Sequence, residues 1–257
     1  MEKVFAFAKK HNLKIIEDCS HAHGAEYKKN KVGSFGDISF FSFQGSKAVS
    51  GGEAGFAITS DTNYFNRMKL YSHTGRDMSE VVSKESFFSK SGFGLKGRMH
   101  PFAAALASVE LRNLDKNNEN MRKNIKKIQL LIQSFKGIDY IEQNEFTSTG
   151  GYHYGIPIWT QSSDVADQLV KDTTIKFRPY PYLNYSKHSY FQNSKLYQKK
   201  IRNFVLDTIE DKESDLNEID NAIKKLVFLD LHFVKYFDPN KSKLLVDLFK
   251  RTISYEN

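Results

Sequence analysis

The first half of the chain alternates apolar runs of strand length with amphipathic stretches of helical period. Val4, Phe5 and Ala8 fall on one helix face, and Pro101 suits the first turn of an alanine-rich helix. The elements predicted here are a helix at 2–11, strands Leu13–Glu17, Ile38–Phe43 and Ala54–Thr59, a helix Tyr64–Tyr71 capped by Asp61 or Thr62, a helix at 101–114 and a charged helix Asn117–Phe135. This alternation predicts an α/β layer with a largely parallel sheet. The small residues of the alanine-rich helix let another element approach closely, so we place this helix in the core.

The pattern changes character at about residue 137. The elements predicted beyond it are strands Tyr140–Ile141 and Tyr154–Trp159, a helix Asp164–Lys171 capped by Ser163, a proline-containing aromatic loop at 177–185, and helices near 214–226 and at Lys241–Thr252. We therefore predict two domains: a large α/β domain with its connecting helix at 1–136, and a small α+β domain at 137–257.

Composition places the chain among ordinary folded proteins. Of its 257 residues 40% are hydrophobic and 26% charged, and the net charge of +8 comes mostly from scattered lysines, as on a solvated surface. The sequence contains no nucleic-acid-binding signature, no apolar run of membrane-spanning length and no secretory signal at its start. The single cysteine, Cys19, suits a reducing compartment. We therefore expect a soluble cytoplasmic protein without nucleic-acid or membrane partners.

Two polar residues stand where predicted strands end. Asp18 follows the apolar run Leu13–Ile16, and Lys47 lies in the short polar turn after Ile38–Phe43. A lysine that forms an imine and a carboxylate that faces a pyridinium nitrogen are the pair that pyridoxal phosphate (PLP) chemistry requires. A desolvated site would favour the neutral lysine amine. Lys47 is therefore the candidate catalytic residue, and Asp18 the candidate partner of the ring nitrogen.

Three further side chains near this pair are candidates for binding the same cofactor. Ser42 carries a hydroxyl suited to a phosphate oxygen, Gln44 can hydrogen-bond nearby, and His21 can bond the phenolic oxygen or lie against the ring. Each residue also has a simpler interpretation. Lys47 can be a solvated charge, Asp18 a turn former and Ser42 a hydroxyl that satisfies the backbone.

The segment after the first strand also resembles a metal site. Side chains of the types found there bind zinc, namely Asp18, Cys19, His21 and His23. A His-x-His pattern without a second pair of ligands is a weak signal, so we predict no metal.

Four short motifs follow one another between residues 15 and 61. They are E-D-x-x-x-A-H-G at 17–24, G-x-x-G-D at 33–37, F-S-F-x-x-x-K at 41–47 and G-E-x-G at 52–55. In this order and spacing they resemble the core of the DegT/StrS family of PLP-dependent sugar aminotransferases. The resemblance continues into later segments of that family, at YSHTGR (71–76), GLKGRMHPFAAALASVEL (94–111) and RPYPY (178–182).

The resemblance implies a fold and a site. The fold would be of the aspartate-aminotransferase type (PLP fold type I), in an obligate homodimer with its sites at the interface. Lys47 would be the Schiff-base lysine, Asp18 the ring-nitrogen partner, His21 the group near the phenolic oxygen and Ser42 a phosphate ligand. Lys96 stands where the family has an asparagine that reaches the neighbouring subunit's phosphate, and a lysine can still neutralise that phosphate.

The implied reaction moves an amino group from glutamate or glutamine to a nucleotide-linked keto-sugar, in surface-polysaccharide or amino-sugar biosynthesis. Lysine at position 47 favours amino transfer, because some relatives with histidine there are dehydratases. The positive net charge would attract a diphosphate-bearing substrate. Arg76 or Arg178 could contact a donor carboxylate or a sugar phosphate, or equally form a surface ion pair.

Members of that family carry a long segment ahead of the strand that ends in Asp18. It holds a glycine/serine turn that binds phosphate at a helix N-terminus, and an aromatic residue that stacks on the ring. One helix precedes that strand here. We therefore expect an incomplete large domain that lacks part of the cofactor cup. The alternatives to an active aminotransferase are a truncated, non-catalytic remnant and one half of a split enzyme.

Overall fold

The computed structural model describes residues 1–72, 95–142, 146–148, 155–181 and 213–253, with backbone only for 213–216. Two compact units divide the chain, Met1–Arg122 with Gln143–His153 and Lys123–Glu142 with Tyr154–Asn257. The division falls inside the long helix, ahead of the boundary predicted after residue 136, so the domain ranges 1–136 and 137–257 stay a prediction. Arg76 lies outside the described residues, as does most of the motif YSHTGR at 71–76.

Seven helices and ten strands are described. The helices are α1 (Glu2–Lys10), α2 (Thr62–Tyr71), α3 (Pro101–Ile132), α4 (Ser163–Lys171), α5 (Glu213–Lys225), α6 (Leu231–Lys235) and α7 (Pro239–Ile253). The strands are β1 (Ile16–Asp18), β2 (Glu26–Tyr27), β3 (Asn30–Lys31), β4 (Ile38–Ser42), β5 (Gly55–Ile58), β6 (Ile138–Tyr140), β7 (Thr147–Ser148), β8 (Ile156–Thr160), β9 (Phe177–Pro179) and β10 (Leu226–Leu229).

The main sheet of the first unit has the strand order β1-β4-β5. β1 runs parallel to β4, with Asp18 opposite Phe40, and β5 runs antiparallel to β4, with Ser42 opposite Gly55. The prediction of parallel strands is therefore confirmed for β1 and β4 and is wrong for β4 and β5. The connection at 43–54 contains no helix that could return the chain for a parallel pairing.

The core of the first unit joins this sheet to α3. Phe43, Val49 and Ala107 are buried together. A Cβ atom on Gly51 would lie 2.8 Å from the carbonyl oxygen of Ala103, so this approach of the turn to the helix requires glycine. The turn that follows Lys47 is thereby held against the first turn of α3.

The helix α3 is a single helix of 32 residues, so helix is confirmed at 101–114 and over most of 117–135, and the break predicted between these two helices is wrong. Buried residues recur at helical spacing on one face, from Ala103 and Ala107 to Asn118 and Ile125. The polar residues after 114 do not end the helix, because Asn118 is buried and its amide donates to the carbonyl oxygen of His23 at 3.0 Å.

A second face at the start of α3 is not in the core. Phe102 is 81% exposed and Leu106 50% exposed, and Val109 on the same face is also exposed. The prediction of a fully buried alanine-rich helix is therefore wrong for this face. The small residues do allow a close approach, but only along the side that meets Gly51.

The second unit is built on an antiparallel sheet of order β6-β8-β10-β9. Buried Val165 and Leu169 line the inner face of α4, and buried Phe249 of α7 contacts the rings of Phe135 and Phe177 with centroids 5.4 and 6.3 Å apart. This arrangement is an α+β layer. Within the described residues, no helix combines the length and apolar character needed to cross a membrane.

Four details of this unit differ from the sequence prediction. Part of the predicted loop at 177–185 is the strand β9, and neither β10 nor α6 was predicted. Short all-apolar runs such as 226–229 have no period of their own, so pattern alone does not separate them from the preceding helix. The cap of α4 is Ser162 instead of Ser163, since the Ser162 hydroxyl accepts from the Val165 amide at 3.3 Å.

Candidate active site

The candidate site lies where β1 and β4 end. Because these strands are parallel and adjacent, their carboxyl ends meet at one edge of the sheet, which is where open α/β sheets bind ligands. Asp18 is the last residue of β1 and Ser42 the last of β4. The turns that follow carry His21 and Lys47, so the strand pairing brings the two turns together.

A direct contact joins the two turns. Nζ of Lys47 lies 2.8 Å from Nε2 of His21. Lys47 is half-buried and His21 is exposed. Desolvation and the positive charge of Lys47 lower the pKa of His21, while Asp18 opposes this effect. A neutral imidazole at this position can accept a hydrogen bond from the lysine.

Asp18 stays ionised beside this pair. Its Oδ1 accepts from the backbone amide of Ser20 at 2.9 Å. The hydroxyl and the amide of Ser20 hold the pKa of Asp18 below its usual range, and the charges of His21 and Lys47 add to this effect. The structure therefore gathers three of the predicted residues, an amine, an imidazole and a carboxylate, at one edge of the sheet.

Ser42 and Gln44 shape the turn that presents the lysine. The Ser42 hydroxyl oxygen accepts from the Gln44 amide at 3.3 Å, and the Gln44 side-chain oxygen accepts from the amide and hydroxyl of Ser46 at 3.0 and 2.6 Å. The Lys47 amide donates to the Gln44 carbonyl at 2.9 Å. Both residues therefore hold the Lys47 turn, and their contact with a cofactor stays a prediction.

Two candidates are not brought to this group by any described contact. Lys96 is exposed, and its neighbours Leu95 and Gly97 bond the backbone of Tyr71 and Ser72. Arg178, in the second unit, donates to Oδ2 of Asp230 through Nε and an Nη at 3.0 and 2.6 Å. Two roles were open for Arg178, a contact with substrate and an ion pair, and the described contacts show the ion pair.

Sequence reasoning missed the role of Glu17. Its carboxylate accepts from the amides of Gly33, Phe35 and Gly36 at 2.8, 3.1 and 3.2 Å, and from the hydroxyl of Ser39 at 3.2 Å. Glu17 therefore holds the glycine turn against the sheet, directly beside Asp18. The available signal in the sequence was the acidic residue Glu17 at the start of the motif that precedes G-x-x-G-D.

The alternative of a zinc site in this segment is not supported. Within the described parts of the chain no group of three or more acidic, histidine or cysteine side chains is placed to hold a metal ion. Cys19 is fully buried, and desolvation raises the pKa of its thiol to about 12. A thiol in this environment stays protonated and is a poor metal ligand.

A sequence profile of the DegT/DnrJ/EryC1/StrS aminotransferase family matches residues 1–204. The chain belongs to this family. All the predicted cofactor-binding positions, from Asp18 to Lys96, lie within the matched residues.

Two curated DegT/DnrJ/EryC1/StrS relatives illustrate the similarity. GDP-perosamine synthase of Escherichia coli O157:H7 is 30% identical over 206 residues, which are 77% of this chain and 52% of the relative. An L-glutamine:2-deoxy-scyllo-inosose aminotransferase of Streptoalloteichus tenebrarius is 35% identical over 136 residues, which are 51% of this chain and 32% of the relative. The matches thus span about half or less of each relative.

Solved structures of aminotransferases share the fold. Helicobacter pylori PseC, an aminotransferase involved in pseudoaminic acid biosynthesis, matches with a TM-score of 0.72 and 20% identity over 99% of this chain and 63% of its own. An aminotransferase from Psychrobacter cryohalolentis matches with the same TM-score and identity, over 99% and 65%. The predicted α/β fold of aspartate-aminotransferase type is confirmed.

The charges around His21 predict opposite effects of two substitutions. Lys47→Met removes a positive charge that lowers the pKa of His21, so this pKa should rise. Asp18→Asn removes a negative charge that raises it, so the pKa should fall. Titration of the His21 ring protons by NMR measures both, with Lys9→Met on the exposed side of α1 as the control. Equal values in all variants would contradict the described geometry.

Proposed function

We propose that this chain carries the catalytic lysine of a PLP-dependent sugar aminotransferase. The enzyme moves an amino group from glutamate or glutamine to a keto-sugar linked to a nucleotide. The observation that carries this proposal is the contact of 2.8 Å between Lys47 Nζ and His21 Nε2 beside the ionised Asp18. Together these residues place an amine, a hydrogen-bond acceptor and an anion at the carboxyl ends of two parallel strands.

The donor set fits PLP. Lys47 offers the amine, Asp18 offers an anion for the ring nitrogen, and His21 offers an imidazole in contact with the amine. Ser42 at the end of β4 offers a hydroxyl for the phosphate. When bound, PLP supplies an electron sink that makes the proton on the adjacent substrate carbon easier to remove.

The residues of this chain then have separate tasks. His21 accepts the hydrogen bond from Lys47 Nζ and so holds the amine in one place. The Lys47 amine removes the proton from the substrate carbon and returns it as a general base and acid. Asp18 keeps its negative charge because its pKa is lowered, so the carboxylate can pair with a protonated ring nitrogen.

The substrate class is supported by the relatives and by charge. One relative is named for GDP-perosamine and another for an L-glutamine-dependent reaction on an inosose. The net charge of +8 favours an anionic substrate such as a nucleotide-linked sugar. Such enzymes serve surface-polysaccharide or amino-sugar biosynthesis, and the free Cys19 thiol suits the cytoplasm.

The test is a product assay. The purified chain is incubated with PLP, glutamate or glutamine and a nucleotide-linked keto-sugar, and products are identified by mass spectrometry. An amino-sugar supports the proposal, whereas a deoxygenated sugar without new nitrogen would indicate a dehydratase. Absence of either product would overturn the proposal for this chain and favour a non-catalytic remnant or half of a split enzyme.

We also propose that the enzyme works as a homodimer through the exposed start of α3. Phe102, Leu106 and Val109 are spaced by four and three residues, so they form one apolar stripe on the helix. Exposed apolar stripes of this kind favour burial against a partner. Lys96 precedes this helix, and in such a dimer it would neutralise the phosphate held by the partner subunit.

A charge in this stripe should weaken the dimer. In Leu106→Glu a carboxylate would be buried without a partner, so we expect dissociation to increase at least about tenfold. Sedimentation velocity measures this shift. The control is Leu130→Glu, since Leu130 is 60% exposed on the same helix but far from the stripe. Equal dimerisation of both variants would contradict the proposed interface.

A further inference from the structure

The carboxylate of Asp37 bonds the backbone just ahead of β1. Asp37 is the last residue of the motif G-x-x-G-D and directly precedes β4. Its Oδ2 accepts from the backbone amide of Ile15 at 2.8 Å, and its own backbone amide donates to the carbonyl oxygen of Ile15 at 2.8 Å. The amide and the carbonyl of Ile15 are therefore both bonded to the same residue of the neighbouring segment.

This pairing differs from a regular parallel ladder. In such a ladder the amide and the carbonyl of one residue bond two different residues of the neighbouring strand. At Ile15 a side-chain oxygen takes the place of one backbone acceptor. A Cβ atom on Gly36 would lie 3.0 Å from the carbonyl oxygen of Ile15 and 2.8 Å from that of Ile38, so this close approach requires glycine. The geometry accounts for the adjacent glycine and aspartate of the motif.

Asp37 also has a contact with the third strand of the sheet. The hydroxyl of Thr59, the residue after β5, donates to the carbonyl oxygen of Asp37 at 2.6 Å. Since β1 and β4 are parallel and β5 is antiparallel to β4, the starts of the first two strands and the end of the third lie together. Asp37 therefore joins all three strands at the end of the sheet opposite to the candidate site.

The strand β1 depends on such bonds to keep its register. It has three residues, and among the described strands it pairs only with β4. One side chain within it bonds its partner in register, Glu17 with Ser39 at 3.2 Å. The smallest slip that keeps each side chain on its face is two residues, or about 6.6 Å. Such a slip would move Asp18 and break the contact of 2.8 Å between Lys47 and His21.

We propose that Asp37 is a positioning residue that fixes the register of β1 against β4, so that Asp18 and His21 lie level with Lys47. It acts from the far end of the two strands, through the backbone of Ile15. This inference rests on Lys47 and His21 being the working pair of the proposed function.

An ion pair of Asp37 is separate from this role. Its Oδ1 accepts from Nζ of Lys14 at 3.0 Å, but the Lys14 side chain is 66% exposed, and exposed ion pairs contribute little to stability. The bond from the Ile15 amide is the main cause that lowers the pKa of Asp37, and Lys14 lowers it further. The acceptor of the Ile15 amide is therefore an anion, which makes this hydrogen bond stronger than one between neutral groups.

Three variants separate the register bond from the ion pair. Asp37→Asn keeps an oxygen that can accept from the Ile15 amide, Asp37→Ala removes it, and Lys14→Met removes the ion pair alone. We expect the asparagine and methionine variants to keep the contact between Lys47 and His21, and the alanine variant to lose it. In the alanine variant the pKa of His21 should rise, because the positive charge of Lys47 moves away. The affinity for PLP should fall at least about tenfold, since misplaced groups bind and react poorly.

The readouts are NMR titration of His21 in the PLP-free chain and PLP binding by fluorescence. A raised His21 pKa in Asp37→Ala, with the wild-type value in Asp37→Asn and Lys14→Met, supports the inference whether or not the chain transfers amino groups. The wild-type value in Asp37→Ala, with only a lower melting temperature, overturns it, and so does an equal rise in Lys14→Met.

A measurement on the wild-type chain decides if Asp37→Ala does not fold. Hydrogen exchange reports how the Ile15 amide opens. Exchange of this amide only through global unfolding supports the inference, because the bond to Asp37 then holds as long as the sheet does. Exchange through local opening of β1 overturns it.

Discussion

Replacing Lys47 with alanine is expected to abolish covalent attachment of PLP and to slow amino transfer by about a thousandfold or more. The substitution removes the residue proposed as both nucleophile and general base, and positioned acid–base groups alone contribute about 10²- to 10⁴-fold. The measurement is borohydride reduction of the PLP-treated chain followed by mass spectrometry of its peptides. In the wild-type chain the added mass should lie on Lys47.

The matched control is Lys9→Ala, which removes an exposed lysine from α1. This variant should attach PLP and transfer amino groups as the wild type does. Lys47→Arg adds a second comparison, because it keeps a positive charge near His21 but cannot form the covalent bond. Attachment of PLP to a different lysine, or full attachment in Lys47→Ala, would refute the assignment of this residue.

The second large effect is expected on stability, from Glu17→Ala. This change deletes the acceptor of three backbone amides and of the Ser39 hydroxyl, and leaves part-buried donors without partners. Hydrogen bonds to charged groups contribute about 1.5–3 kcal/mol each, and their effects within one network are not additive. We expect the free energy of unfolding to fall by about 3 kcal/mol.

Urea denaturation measures this change. Glu17→Gln should cost less, since one amide oxygen still accepts from the glycine turn. Glu53→Gln, an exposed acid in the turn that leads into β5, should leave stability within about 0.5 kcal/mol of the wild type. If Glu17→Ala were as stable as Glu53→Gln, the carboxylate would not be what holds the segment 33–36.

Local pattern predicted the elements that have a clear period or cap. The helix at 2–11, the strand at 38–43 and the capping of α2 by Asp61 are all found in the structure. The elements missed were those without a period of their own, such as the apolar strand β10 and the proline-containing strand β9. Both become strands because they pair with each other, with Phe228 opposite Arg178.

In the candidate site, too, the sequence predicted the residue types but not the contacts that position them. Motif spacing singled out Lys47, Asp18 and His21 as residue types suited to one cofactor. It did not reveal Glu17 as a support, because the partners of this carboxylate lie 16 to 22 positions away in sequence. The amide of Asn118 is 95 positions from the carbonyl of His23 that it bonds. Such a contact exists only after α3 has packed on the sheet.

The amino-acid sequence by itself determined the family, the candidate chemistry and most helices, since these depend on residue types and short spacings. Only the tertiary structure decided that Lys47 meets His21 across 26 positions, that α3 is one helix and that one of its faces stays exposed. The physical reason is that distances between separate turns are set by strand pairing and core packing. Those interactions join residues that no local pattern connects.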